Sequence, residues 1–218
     1  MIDYYRDLLR RHAWLEESLC WLVVQPLDED LTRDDVLWRL NGGRDPEQRI
    51  VPDPVDANAN MDGELIFAFE GDGAWGFLDW SGVPASDEIV AALSEDCRVW
   101  LTSWNFSGQS TLLYAAGGRI RTRVHRFHFA RHITEEGDPA AVAGLHTLLG
   151  GVPHDDYTGR RAAALAFVEA STGVAIESER FDEEEGPVII LDTRGDQARG
   201  AQMAHPPPAR VRPSLPRA

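Results

Sequence analysis

Two stretches decide the architecture: Gly63–Trp80 (GELIFAFEGDGAWGFLDW) and Val99–His132 (VWLTSWNFSGQSTLLYAAGGRIRTRVHRFHFARH). Both are series of short runs rich in aromatic and β-branched residues, broken by glycines rather than by helix-length spacers. In the first, Glu64–Glu70 and Ala74–Trp80 read as strands joined by Gly71-Asp72-Gly73, because Asp-Gly supplies the positive φ that a hairpin turn needs. In the second, Val99–Phe106, Ser110–Ala115 and Arg119–Phe129 read as strands separated by Ser107-Gly108 and Gly117-Gly118. Strands joined this tightly pair antiparallel, since a parallel pair needs a long crossover.

Working outward, Ser18–Gln25 (SLCWLVVQ) is an apolar run suited to a buried strand, and Asp3–Glu17 before it has helical spacing of Tyr4, Leu8, Ala13 and Leu15. Thr32 caps a short helix that carries Asp34 and Asp35 at its positive end and stops at Asn41-Gly42-Gly43. Gly42–Asn60, interrupted by Pro46, Pro52 and Pro54, reads as a long irregular loop. Ser86 caps a helix through Leu93, Asp138-Pro139 starts another, and Thr158–Thr172 forms an Ala-rich helix ended by Gly173. Val188–Leu191 reads as an edge strand. The expected fold is a single α+β domain over residues 1–193, with a mostly antiparallel β-sheet of about five to six strands packed against helices. Residues 194–218, with five arginines, one acidic residue and the run HPPPARVRPSLPRA, read as a disordered Pro/Arg-rich tail.

The charge narrows the partners. Thirty-six acidic residues against 21 basic ones give a formal net charge of -15. Such a surface repels nucleic acid and anionic membrane and favours solubility or a basic partner. All the basic residues are arginine, a composition that matches a high-GC genome. Cys20 and Cys97 are too few for a disulfide framework and sit by apolar runs, so they read as buried free thiols. The N-terminus lacks an apolar signal core and no run reaches the ~20 apolar residues of a membrane span, which implies a cytoplasmic protein.

Several constellations imitate sites. Gly71-x-Gly73-x-x-Gly76 spells a dinucleotide fingerprint, but a strand pattern follows where the phosphate site needs a helix N-terminus, so it reads as a hairpin. His125, His128 and His132 resemble metal ligands. On a strand, His125 and His128 point to opposite faces, and His128 and His132 lie about 13 Å apart. No metal or other cofactor is therefore expected. Arg119, Arg121, Arg123 and His125 alternate onto one strand face, a positive stripe that either pairs with acidic neighbours such as Asp182–Glu185 or binds an anion, with Trp104 beside it. His154-Asp155-Asp156 is the nearest approach to an acid–base cluster, but carboxylates just before a helix belong there as caps. No nucleophile elbow, Walker loop, metalloprotease helix or paired CxxC occurs.

The order of short motifs carries a resemblance. Ala13-Trp14-Leu15, Asp34-Asp35-Val36-Leu37-Trp38-Arg39-Leu40-Asn41, Ala74-Trp75-Gly76-Phe77 with Trp80-Ser81-Gly82, and Ala91-Ala92-Leu93-Ser94 form its first half. Trp104-Asn105, Leu113-Tyr114-Ala115, Gly117-Gly118, Gly137-Asp138-Pro139 and Ser171-Thr172-Gly173-Val174 form the second. In these pieces the chain resembles an uncharacterised actinobacterial-type family, domain of unknown function 6461. The resemblance implies a single α+β domain and carries no activity with it.

Taken together, the sequence points first to a non-catalytic cytoplasmic protein that binds another protein, basic partners included, with an immunity or conflict-system role as one version. The alternative is a sensor of an anionic small molecule or nucleotide using Arg119, Arg121, Arg123, His125 and Trp104. A hydrolase built on His154, Asp155 or Asp156 ranks third.

Overall fold

The computed structural model describes residues 1–27, 30–53, 64–80 and 85–191; the tail at 194–218 and the later part of the 42–60 loop lie outside them. Along the chain run helices Ile2–Arg11 (α1) and Ala13–Glu17 (α2), strand Leu19–Pro26 (β1), helix Arg33–Leu40 (α3) and strands Glu47–Pro52 (β2), Glu64–Gly71 (β3) and Ala74–Asp79 (β4). Helix Asp87–Leu93 (α4) precedes strands Cys97–Trp104 (β5), Ser110–Ala116 (β6), Ile120–His125 (β7) and Thr134–Gly137 (β8). Helices Ala143–Gly150 (α5) and Tyr157–Thr172 (α6) and strand Glu185–Leu191 (β9) complete the described chain.

All the described strands join one sheet, in the order β2-β9-β3-β4-β1-β5-β6-β7-β8, with every neighbouring pair antiparallel. The α+β class and the antiparallel pairing agree with the sequence; nine strands correct the expected five to six. β1 lies at the centre with helices on both sides, which is why Leu19–Val24 is apolar without alternation. One face packs Trp21, Phe67, Phe69, Leu78, Trp104 and Leu112 against α1, α5 and α6. The opposite face packs Leu22, Val24, Phe77, Val99, Leu101 and Leu113 under α3 and α4. Ala162, Ala163, Ala164 and Ala166 are all buried in α6. Their small side chains let the helix lie close to its neighbours.

Four differences from the sequence reading have physical causes. The helix expected over 3–17 breaks at His12, whose backbone leaves the helical region, so two helices result. Glu47–Pro52 is a strand inside the expected loop. It is exposed along most of its length, so it has no apolar alternation to read. Val188–Leu191 is not an edge: β9 is held between β2 and β3, and among the described residues the edges are β2 and the four-residue β8. The Asp138-Pro139 start opens a 3₁₀ turn, with Asp138 accepting from the Ala140 amide, and the helix proper begins at Ala143.

The local signals elsewhere hold. Thr32 and Asp35 form a reciprocal capping box at α3. Asp72 and Gly73 adopt φ of 42° and 72°, the left-handed pair of a two-residue hairpin turn. Gly76 is required by its neighbour: a Cβ there would lie 2.1 Å from the Trp21 ring. The fingerprint-like glycines therefore serve a hairpin and a tryptophan, and no helix follows them.

Candidate functional site

On the face that α3 and α4 cover in part, the β5–β8 end of the sheet carries a polar cavity of about 570 Å³. Its floor is a row set by strand register. Ser103 of β5 pairs with Thr111 of β6, Thr111 with His125 of β7, and His125 with Thr134 of β8. Neighbours in such a row stand about 5 Å apart and are held by the ladder hydrogen bonds, so their spacing is fixed before anything binds. Thr111 Oγ1 lies 3.4 Å from His125 Nδ1.

The wall comes from the β5–β6 turn. Asn105 pins that turn: its side-chain oxygen accepts from the Ser107 and Gln109 amides, and its amide nitrogen donates to Gln109 Oε1 at 3.0 Å. Phe106 at the tip is 88% exposed, more than any other large apolar side chain described. Arg126, the other cavity wall, follows the end of β7 in a left-handed conformation with φ of 54° and donates its backbone amide to Ser110 O at 2.7 Å. A non-glycine residue in that region carries backbone strain, which functional loops often hold.

The predicted stripe is divided by the structure. Arg123 meets Asp87 of α4 at 2.5 Å, rather than Asp182–Glu185, and stands opposite Glu136 of β8. Arg121 donates from Nε to the Ala116 carbonyl at 2.8 Å. Arg119 is exposed in the turn beyond a bulge at Tyr114/Ala115, and Ile120 packs against the core instead. Of the four residues, His125 alone lines the cavity.

Trp104 does not join them. Its ring lies on the other face of the sheet, 1% exposed, with Nε1 donating to Leu15 O at 2.9 Å and the Arg161 guanidinium 5.7 Å from the ring centre. Alternation along β5 sends Ser103 and Trp104 to opposite faces, so the grouping of Trp104 with the arginines is corrected.

The histidines also separate. His128 sits in the turn after β7, 1% exposed, with neither ring nitrogen hydrogen-bonded, beside Phe129 and near Tyr157. Burial, with Arg161 and Arg160 adding to it, holds its pKa down to about 4. His132 is exposed in a 3₁₀ turn. Among the described residues, no group of three or more His, Cys, Asp or Glu is placed to hold a metal.

His154 and Asp155 are exposed. Asp156 caps α6 through the Gly159 amide at 2.8 Å and bridges to Arg6 at 2.6 Å. Partial burial pushes its carboxyl up, but that amide and Arg6 outweigh it and hold the pKa below the ordinary value. Asp156 is thus the N-cap of α6, as the cap reading expected. No helix among the described residues is long and apolar enough to cross a membrane.

Sequence reasoning did not single out Ser103, Gln109, Thr111, Arg126 or Thr134. They meet only through register across four strands, which no local pattern encodes. No family model, no curated protein and no solved structure matches the chain.

Proposed function

We propose that this is a non-catalytic binding protein that engages a basic protein partner through the β2 edge of its sheet and the acidic run Asp182–Glu185. The observation that carries the reading is Ile50, an edge-strand isoleucine that is 72% exposed, set beside a concentration of carboxylates. Pro52 pairs with Glu185, and the Asp53 amide donates to Glu184 O at 2.8 Å, so the apolar side chain and the acids share one corner. Among the described residues no strand pairs with the outer side of β2. An open edge offers backbone groups to an incoming strand, and the rim of carboxylates selects for positive charge.

The overall charge of -15 supports the same partner class, because it speeds encounter with a cation-rich surface. Inhibition of a basic toxin or nuclease, as an immunity protein does, is a role of this kind. The test is affinity purification of the full-length protein from its own cell lysate, washed at low and at high salt. A stoichiometric basic protein that leaves at high salt supports the reading. Recovery of a monomer without partner, unaffected by salt, contradicts it.

A further inference from the structure

We propose a second, separate function: the cavity floored by Ser103, Thr111 and His125 binds a small phosphorylated sugar. Its lining carries positive charge in an acidic chain. The chain holds 36 acidic residues, yet none of those described lines this cavity, while Arg126 and His125 do. Among the described residues the Arg126 guanidinium has no ion-pair or hydrogen-bond partner. Arg121 and Arg123, by contrast, are held by Ala116 O and Asp87. The side chains of Arg98, Arg119 and Arg131 also lack partners among the described residues, but of these four only Arg126 lines the cavity, at a left-handed backbone position, and so is placed to meet an external anion.

The rest of the lining is neutral and rich in hydroxyls. Ser103, Thr111 and Thr134 each donate and accept, and Gln109 has an amide NH₂ that the Asn105 bond leaves unused. Such groups recognise a polyol rather than a bare ion. The volume of about 570 Å³ suits a ligand larger than phosphate and falls within the usual range for small-molecule sites. Arg126 then takes the phosphate, and the hydroxyl row and Gln109 take the sugar hydroxyls. Sugar phosphates and nucleoside monophosphates share this chemistry.

Calorimetric titration of the full-length protein with ribose 5-phosphate, adenosine monophosphate, ribose and inorganic phosphate tests the assignment. Expected is saturable one-to-one binding of one or both phosphorylated sugars, in the micromolar to millimolar range, with ribose and phosphate at least about tenfold weaker. Arg126→Ala should weaken binding about tenfold or more, and Thr111→Val severalfold. Arg119→Ala, on the exposed turn outside the cavity, should leave it unchanged. Response to ribose 5-phosphate alone, or to the mononucleotide alone, identifies which source of the shared chemistry fits. The proposal is overturned if neither phosphorylated sugar binds, if binding survives Arg126→Ala, or if inorganic phosphate binds as tightly as the sugars.

Discussion

Arg123 and Asp87 meet at 2.5 Å and tie β7 to the first turn of α4. The bond explains why a strand that reads as a free cationic stripe presents less positive charge than its sequence advertises. The Asp87 carboxylate is 64% exposed, so the pair behaves as a surface bridge. Arg123→Ala and Asp87→Ala should each cost about 0.5–1 kcal/mol, with the double variant losing less than the sum. Urea unfolding at low and high salt checks this; equal losses at both salts would mean that packing of the arginine stem, and not charge, holds the contact.

Gly76 exists for Trp21. A methyl group at 76 would enter the indole at 2.1 Å in a fully buried part of the core. Gly76→Ala should destabilise by about 1–3 kcal/mol. Combining it with Trp21→Phe should cost less than the two changes added, because the smaller ring vacates the clashing volume. Denaturant midpoints of the four proteins give the coupling directly, and strict additivity would show that the glycine serves another need.

His128 makes the fold sensitive to acid. The unfolded chain takes up this proton near pH 6.5, the folded protein only near 4, so between these values the unfolded state binds more protons and stability falls as pH falls. The accumulated loss is about 3 kcal/mol. His12, whose pKa burial also lowers, adds in the same direction. His128→Phe keeps a ring in the apolar site and removes the proton. Its unfolding midpoint should decline distinctly less than that of the wild type over this window; an identical decline would place the acid sensitivity elsewhere.

Cys97 should be chemically silent in the native state. Burial chiefly, and the Asp96 carboxylate next, push its thiol up to about 12, and Cys20 is buried as well. The reactive species is the thiolate. A thiol reagent at about pH 8 should label neither cysteine until denaturant is added. Rapid native labelling of Cys97 would mean that the segment around the Arg39–Asp96 bridge, with bonds of 2.5 and 2.8 Å, opens readily.

What could be read from the chain was local. The turn at Asp72-Gly73, the caps at Thr32, Ser86 and Asp156, and the glycine stop at 173 all depend on side chains acting within a few residues, and each is in place. What could not be read was set by distant partners. β2 is visible only through its pairing with β9, and the four-residue β8 only through β7. The stripe of arginines follows from alternation, but the bulge that removes Arg119 from it and the aspartate that engages Arg123 come from other elements. The cavity residues come from β5 to β8 and the turns beside them, and converge only once register is fixed. Trp104 shows the same limit: its neighbour in space is Leu15, 89 positions away in sequence.

The central claim concerns the β2 corner, and capture by three proteins side by side tests it most directly: wild type, Ile50→Lys, and a variant carrying Asp182→Asn, Glu183→Gln, Glu184→Gln and Glu185→Gln. All three should fold alike, since the altered side chains are surface groups and Ile50 is 72% exposed. The account predicts that wild type retains a basic protein at low salt and that both variants lose most of it. A partner held equally by all three proteins would contradict it and place the binding surface elsewhere on the molecule.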